Sequence, residues 1–231
     1  MIRTLVWLLP VLLSIANASA QQDRDSIKIR FTAQARPADL GQLVMVAAAE
    51  EEERRSAAFN LPVNHLTEPQ TAPGRLFRLE PERQAELLAE VRLPETGNDF
   101  VVLLVPGEDS PYEAVVIPYR GQGFRPGDYY LHNVSGLPVL GRVGATEFVI
   151  APRSGRVVRP TGARDERFYD VLLGVREGNA SRAISQSRWP VATHTRTYVF
   201  FFDDPVRRDV GFRAVDEFVP EADAPEDQTG R

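Results

Sequence analysis

Proline and glycine punctuate this chain at short intervals, and that spacing limits what it can fold into. Eighteen prolines and sixteen glycines mostly fall between brief apolar or alternating runs. The runs are Ile27 to Ala33, Leu43 to Ala47, Phe100 to Val105, Tyr112 to Tyr119, Glu147 to Ala151, Arg156 to Arg159, Phe168 to Val175, Thr197 to Phe202 and Val210 to Phe218. Many short strand-like runs with turn residues between them specify an all-β sandwich or barrel. The two halves are loosely alike, each with an early strand (27–33, 129–134) and a late apolar one (100–105, 197–202). Two tandem Ig-like antiparallel β-sandwiches fit this layout, over residues 21–119 and 120–219. One larger β-sandwich fits it as well.

Two segments compete with an all-β reading. Residues 47–58 (AAAEEEERRSAA) have high helix propensity, with Glu50–Arg54 and Glu51–Arg55 at i,i+4 spacing. They read equally as the charged end of a hairpin between two strands. Pro81 to Leu93 is either a short amphipathic helix or a loop leading into a strand at Ala89 to Leu93. After Val219 the sequence PEADAPEDQTGR is acidic and lacks apolar anchors, so residues 220–231 are expected to be disordered.

The first twenty residues have the pattern of a secretory signal peptide. Arg3 supplies a positive charge, Leu5 to Leu13 is apolar apart from Pro10, and Ala18-Ser19-Ala20 places small residues before Gln21. The apolar run is too short for a spanning helix. With no cysteine, the chain has no disulfide, thiolate metal site or lipid-modified cysteine. An exported eukaryotic domain of this size more often carries disulfides, so a bacterial origin is expected, with the mature chain in the periplasm or outside the cell. The formal charge of −5 argues against nucleic acid as a partner. Lys28 is the only lysine, so an arginine cluster here carries less weight than in a lysine-rich protein.

The stretch FRPGDYYLHNVSG (124–136) raises the question of a binding surface. In Arg125-Pro126-Gly127-Asp128, proline presets φ for the second turn position and glycine takes the positive φ that a type II turn needs at the third. The following strand places Tyr129, Leu131 and Asn133 on one face and Tyr130, His132 and Val134 on the other. Neither face is purely apolar, so period alone does not say which is buried. Tyr130 and His132 form a candidate recognition strip if their face meets solvent.

Residues with chemistry to offer are scattered. His65, His132 and His194 show no metal-ligand spacing, and Ser110 lacks a nucleophile elbow and a nearby base. Gly121-Gln122-Gly123 is not a phosphate-cradling loop. No catalytic residue, metal site or cofactor is assigned. Asp203 and Asp204, with Asp209 and Glu217 downstream, are the carboxylates a glycosidase would use, although adjacent strand residues point to opposite faces. The densest charge feature is Arg153, Arg156, Arg159, Arg164 and Arg167, followed by Arg182 and Arg188. Arg153, Arg156 and Arg159 are candidates for an anion-facing patch; the alternative is the solvated face of a strand with its loops.

The layout of LPETGNDFVVLLVP, RPGDYYLHNVSG, SRW and RTYVFFF resembles uncharacterised exported bacterial β-sandwich proteins over residues 26–218. The resemblance implies the fold and carries no catalytic residue with it. The expectation is an exported, non-enzymatic binding or structural module of the bacterial cell envelope. Its partner would be an envelope protein or a polysaccharide, with no membrane span after signal removal. The alternative is a secreted hydrolase acting on polysaccharide or peptidoglycan through Asp203, Asp204 and Asp209. Amino-terminal sequencing of exported protein is expected to begin at Gln21; material still beginning at Met1 would remove the basis for this compartment.

Overall fold

A short run of branched and aromatic residues becomes a strand when its backbone groups pair with a neighbour and one of its faces leaves water. The computed structural model describes residues 26–37, 39–47, 54–107, 109–119, 123–204 and 206–219. The expected signal segment, the acidic tail and residues 48–53 of the Glu-rich stretch lie outside the described residues. Within them every regular element is a strand. Among the described residues no helix is long and apolar enough to cross a membrane.

Two compact units divide the chain. The first holds the described residues up to Leu61 together with Thr67–Tyr119, and the second holds Pro62–Leu66 and the described residues from Gly123 onward. The first unit contains β1 (Lys28–Ala33), β2 (Leu43–Ala47), β3 (Arg54–Arg55), β4 (Gln70–Thr71), β5 (Leu76–Pro81), β6 (Ala89–Arg92), β7 (Asp99–Pro106) and β8 (Tyr112–Pro118). The second contains β9 (Tyr129–Asn133), β10 (Val139–Val143), β11 (Thr146–Ile150), β12 (Ser154–Val158), β13 (Phe168–Glu177), β14 (Ala180–Pro190), β15 (Thr195–Asp204) and β16 (Asp209–Phe218).

Each unit has two four-stranded sheets, and the strand order is the same in both. The first has β4-β1-β7-β8 and β3-β2-β5-β6; the second has β12-β9-β15-β16 and β11-β10-β13-β14. In the second unit, apolar side chains from both sheets form one cluster between them, including Leu131, Val158, Val199 and Phe201 from one and Val143, Phe148, Val171 and Leu173 from the other. The architecture is therefore an all-β sandwich.

One part of the expectation needs correction: the pairing is not wholly antiparallel. β1 runs parallel to β7, with Ile29 opposite Phe100, and β9 runs parallel to β15, with Leu131 opposite Val199. In an immunoglobulin constant domain the first strand lies beside the second; here it lies between the fourth and the seventh. A parallel pair needs a long crossover, and in each unit the intervening strands supply it. β7 is buried along almost its whole length and β15 from Arg196 to Phe201, which is why DFVVLLVP and TYVFFF read as apolar runs without alternation.

Pro81 to Leu93 contains no helix. β5 ends at Pro81, a turn follows, and β6 starts at Ala89. Around residue 50, β2 and β3 pair antiparallel, with Val46 opposite Arg55.

The Pro126-Gly127 turn takes the expected form. Asp128 N–H donates to the Arg125 carbonyl at 3.0 Å, and Gly127 has φ +87°. Side chains resist that region of backbone space, so Gly127→Ala is expected to lower stability by about 1 kcal/mol or more. Denaturant melts of the variant and parent chains provide the check.

Candidate functional site

Alternation along β9 settles which face is buried against the core. Tyr129 and Leu131 join the apolar cluster, and Asn133 on the same face is fully buried. The Asn133 amide donates to the carbonyls of Leu137 (2.8 Å) and Ile150 (3.3 Å), and its Oδ1 accepts from Ser135 N–H and Oγ. This asparagine satisfies the bend that leaves the strand. Trp189 is half-buried on β14, with its ring 4.9 Å from Tyr129 and 6.5 Å from Phe212.

The opposite face of the same sheet is aromatic. Tyr130 stacks beside His132 (6.1 Å, 18°) and lies 6.3 Å from Tyr198, while Phe124 meets Tyr198 edge-on at 5.2 Å. The Arg196 guanidinium sits over Phe124 and pairs with Glu217 at 2.9 Å. Tyr198 is fully buried and His132 is only 8% exposed, so little of the candidate strip faces solvent. Both polar tips converge over Gly155. A Cβ at that position would lie 2.5 Å from the Tyr130 hydroxyl and 2.6 Å from His132 Nδ1, so only glycine lets the two rings lie there.

His132 Nδ1 is buried without a hydrogen-bond partner among the described residues. Burial, helped by the positive charge of Arg153, holds the imidazole down to about 4, so the ring is neutral at neutral pH.

The three candidate arginines go to three different places. Arg159 is a clamp: its Nε and terminal nitrogen hold both oxygens of Asp128 at 2.8 and 2.7 Å, and it also donates to the Gly123 carbonyl. Asp128 is only 3% exposed and accepts from Arg125 N–H as well, so this pair ties β12 to the turn. Arg153 occupies the turn before β12 with φ +56°. Arg156 lines a hollow on the β11 side of the sandwich.

The carboxylates are engaged in local structure. Asp203 accepts from Gly136 N–H at 3.1 Å, and Asp204 accepts from the N–H groups of Val206 and Arg207 in the turn that follows. Arg182 pairs with Asp209 at 2.7 Å and holds its carboxyl below the usual range. Ser110 donates to the Tyr112 carbonyl. His65 is exposed beside Asn64, and His194 is exposed. Among the described residues no three His, Asp or Glu side chains are grouped to hold a metal.

Two open hollows lie on the outer face of the β11-β10-β13-β14 sheet, of about 710 and 580 Å³. Arg142, Arg164 and Arg188 line the larger, and Arg142, Arg156 and Arg176 line the smaller. Leu172 is common to both. No family model matches this chain, and no curated protein matches it.

Arg142 and Arg176 were not distinguishable in the sequence. Each is a single cation on its own strand, and only the pairing of β10 with β13 puts them on one face.

The buried histidine has a consequence for pH. As the pH falls from about 6.5 towards 4, the unfolded chain takes up a proton that folded His132 refuses, so stability falls. The loss is on the order of 3 kcal/mol and is absent above the unfolded pKa. The decline between these pH values is expected to be shallower in His132→Phe than in the parent when melts are compared; equal slopes would show that His132 does not contribute.

Proposed function

We propose that this protein is an exported, non-enzymatic binding module of the bacterial cell envelope. The observation that carries the reading is the character of the two hollows: they lie open on a sheet face, and three arginines stand in the lining of each among other polar and apolar side chains. A hydrolase acting on glycans needs two carboxylates facing one bond. Asp203 and Asp204 alternate along β15, Asp204 caps a turn, and Asp209 is held by Arg182. An arginine-lined face suits recognition, because guanidinium groups present fixed forks of donors to anions. The signal-like first twenty residues support export, the absence of cysteine supports a bacterial rather than a eukaryotic exported chain, and the strand layout supports a β-sandwich module.

The test is to incubate the mature chain with isolated envelope polysaccharide and peptidoglycan, then measure co-sedimentation and the release of reducing ends. Retention without new reducing ends is expected. Reducing ends that disappear in Asp209→Asn would replace this reading with a hydrolase, and absence of any retention would overturn it.

A further inference from the structure

Strand alternation gives the β11-β10-β13-β14 sheet two unlike faces. Val139, Val143, Phe148, Ile150, Val171 and Leu173 point into the core. Leu140, Arg142, Val149, Leu172 and Arg176 therefore occupy the other face. Val149 is 50% exposed and Leu172 40%, so an aliphatic strip lies open from the edge strand β11 across β10 to β13.

Five arginines line the hollows over this strip, against two carboxylates, Glu147 and Asp170. Asp170 is already engaged, by Arg164 at 3.5 Å and Arg188 at 3.4 Å. Arg142, Arg156 and Arg176 form no ion pair or side-chain hydrogen bond among the described residues. Directly opposite Arg142 lie Glu147 on β11 and Leu172 on β13. This face thus holds an excess of positive charge on a chain whose formal net charge is −5.

We infer that this face binds an acidic polysaccharide, whose carboxylates meet Arg142, Arg156 and Arg176 and whose ring faces lie on Leu140, Val149 and Leu172. The inference rests on the reading of the protein as a binding module and gives that module its site and ligand class. Arg142 lies on β10, Arg176 lies four residues beyond Arg142's cross-strand neighbour Leu172 on β13, and Arg156 reaches the hollow from β12 of the other sheet; cations spread in this way suit a ligand with repeated anions rather than a single one. Arginine and carboxylate match in planar, two-bond geometry. A bilayer fits less well: the short aliphatic side chains lie among longer arginines, and the strip offers no exposed aromatic anchor. A protein partner fits less well too, since the centre of such an interface is usually aromatic and poor in charge.

The experiment uses the mature chain and polygalacturonate in calorimetric titrations, with dextran and phosphatidylglycerol vesicles as comparison ligands. Polygalacturonate is expected to bind at low ionic strength and to weaken as salt is added. Arg142→Gln/Arg176→Gln is expected to bind about tenfold more weakly or worse, the loss of at least one charged hydrogen bond. Arg83→Gln/Arg92→Gln removes the same charge from the first unit and should bind as the parent does. If the first pair fails to fold, Leu172→Glu places a negative charge in the strip and should weaken binding in the same way. Four results would each overturn the inference: no binding of polygalacturonate, equal loss in both arginine pairs, binding of vesicles alone, or capture of an envelope protein through Arg142 and Arg176 without polygalacturonate binding. Retention on envelope material that is unchanged in Arg142→Gln/Arg176→Gln would remove this site while leaving the binding module standing.

Discussion

Each unit is closed by a pairing that spans most of its sequence: the first strand lies parallel beside the seventh. Leu131 meets Val199 and His132 meets Phe200 through this contact in the second unit, and Phe31 meets Val102 through its counterpart in the first. Without it the first strand would keep only its short edge partner, β4 or β12, and the seventh would expose one buried margin. The pairing also sets the register of everything on the sheet. Tyr130 reaches Tyr198, and the Asp128 carbonyl accepts from the Thr197 N–H, because β9 is fixed against β15.

The parts of the fold that were legible in the sequence have a local mechanism. Pro126-Gly127 reads as a turn because proline and glycine each satisfy one of its dihedral requirements. The apolar runs of β7 and β15 read as strands because both of their faces are buried. By contrast, β14 carries ASRAISQSRWP, whose small and polar side chains lie mostly exposed on a sheet edge. No apolar period marks it. β10 is interrupted by Gly141, and β3 and β4 are two residues each, too short to carry a pattern. Parallel pairing leaves no local sign at all, since the partners are some seventy residues apart in the chain.

The candidate site was legible only as residue types. Three arginines at intervals of three, Arg153, Arg156 and Arg159, suggested a common patch. The structure sends one to a turn, one to a hollow and one into a buried carboxylate pair. Arg142 and Arg176 lie far apart in sequence, yet β10 and β13 bring their side chains to the same sheet face. Tyr130 and His132 did share a face, as alternation required. What alternation could not supply was the cover over that face: Phe124 and Tyr198 close much of it, and Gly155 lets the two rings lie across β12.

The short segment Pro62–Leu66 belongs to the second unit although it is embedded in the sequence of the first. Arg213 on β16 donates to the Val63 carbonyl at 3.3 Å. The second unit is therefore discontinuous, and no single cut of the chain separates the two sandwiches with all their parts. Exchange of the second half as one continuous block would leave this segment behind, and exchange of the first would carry it along.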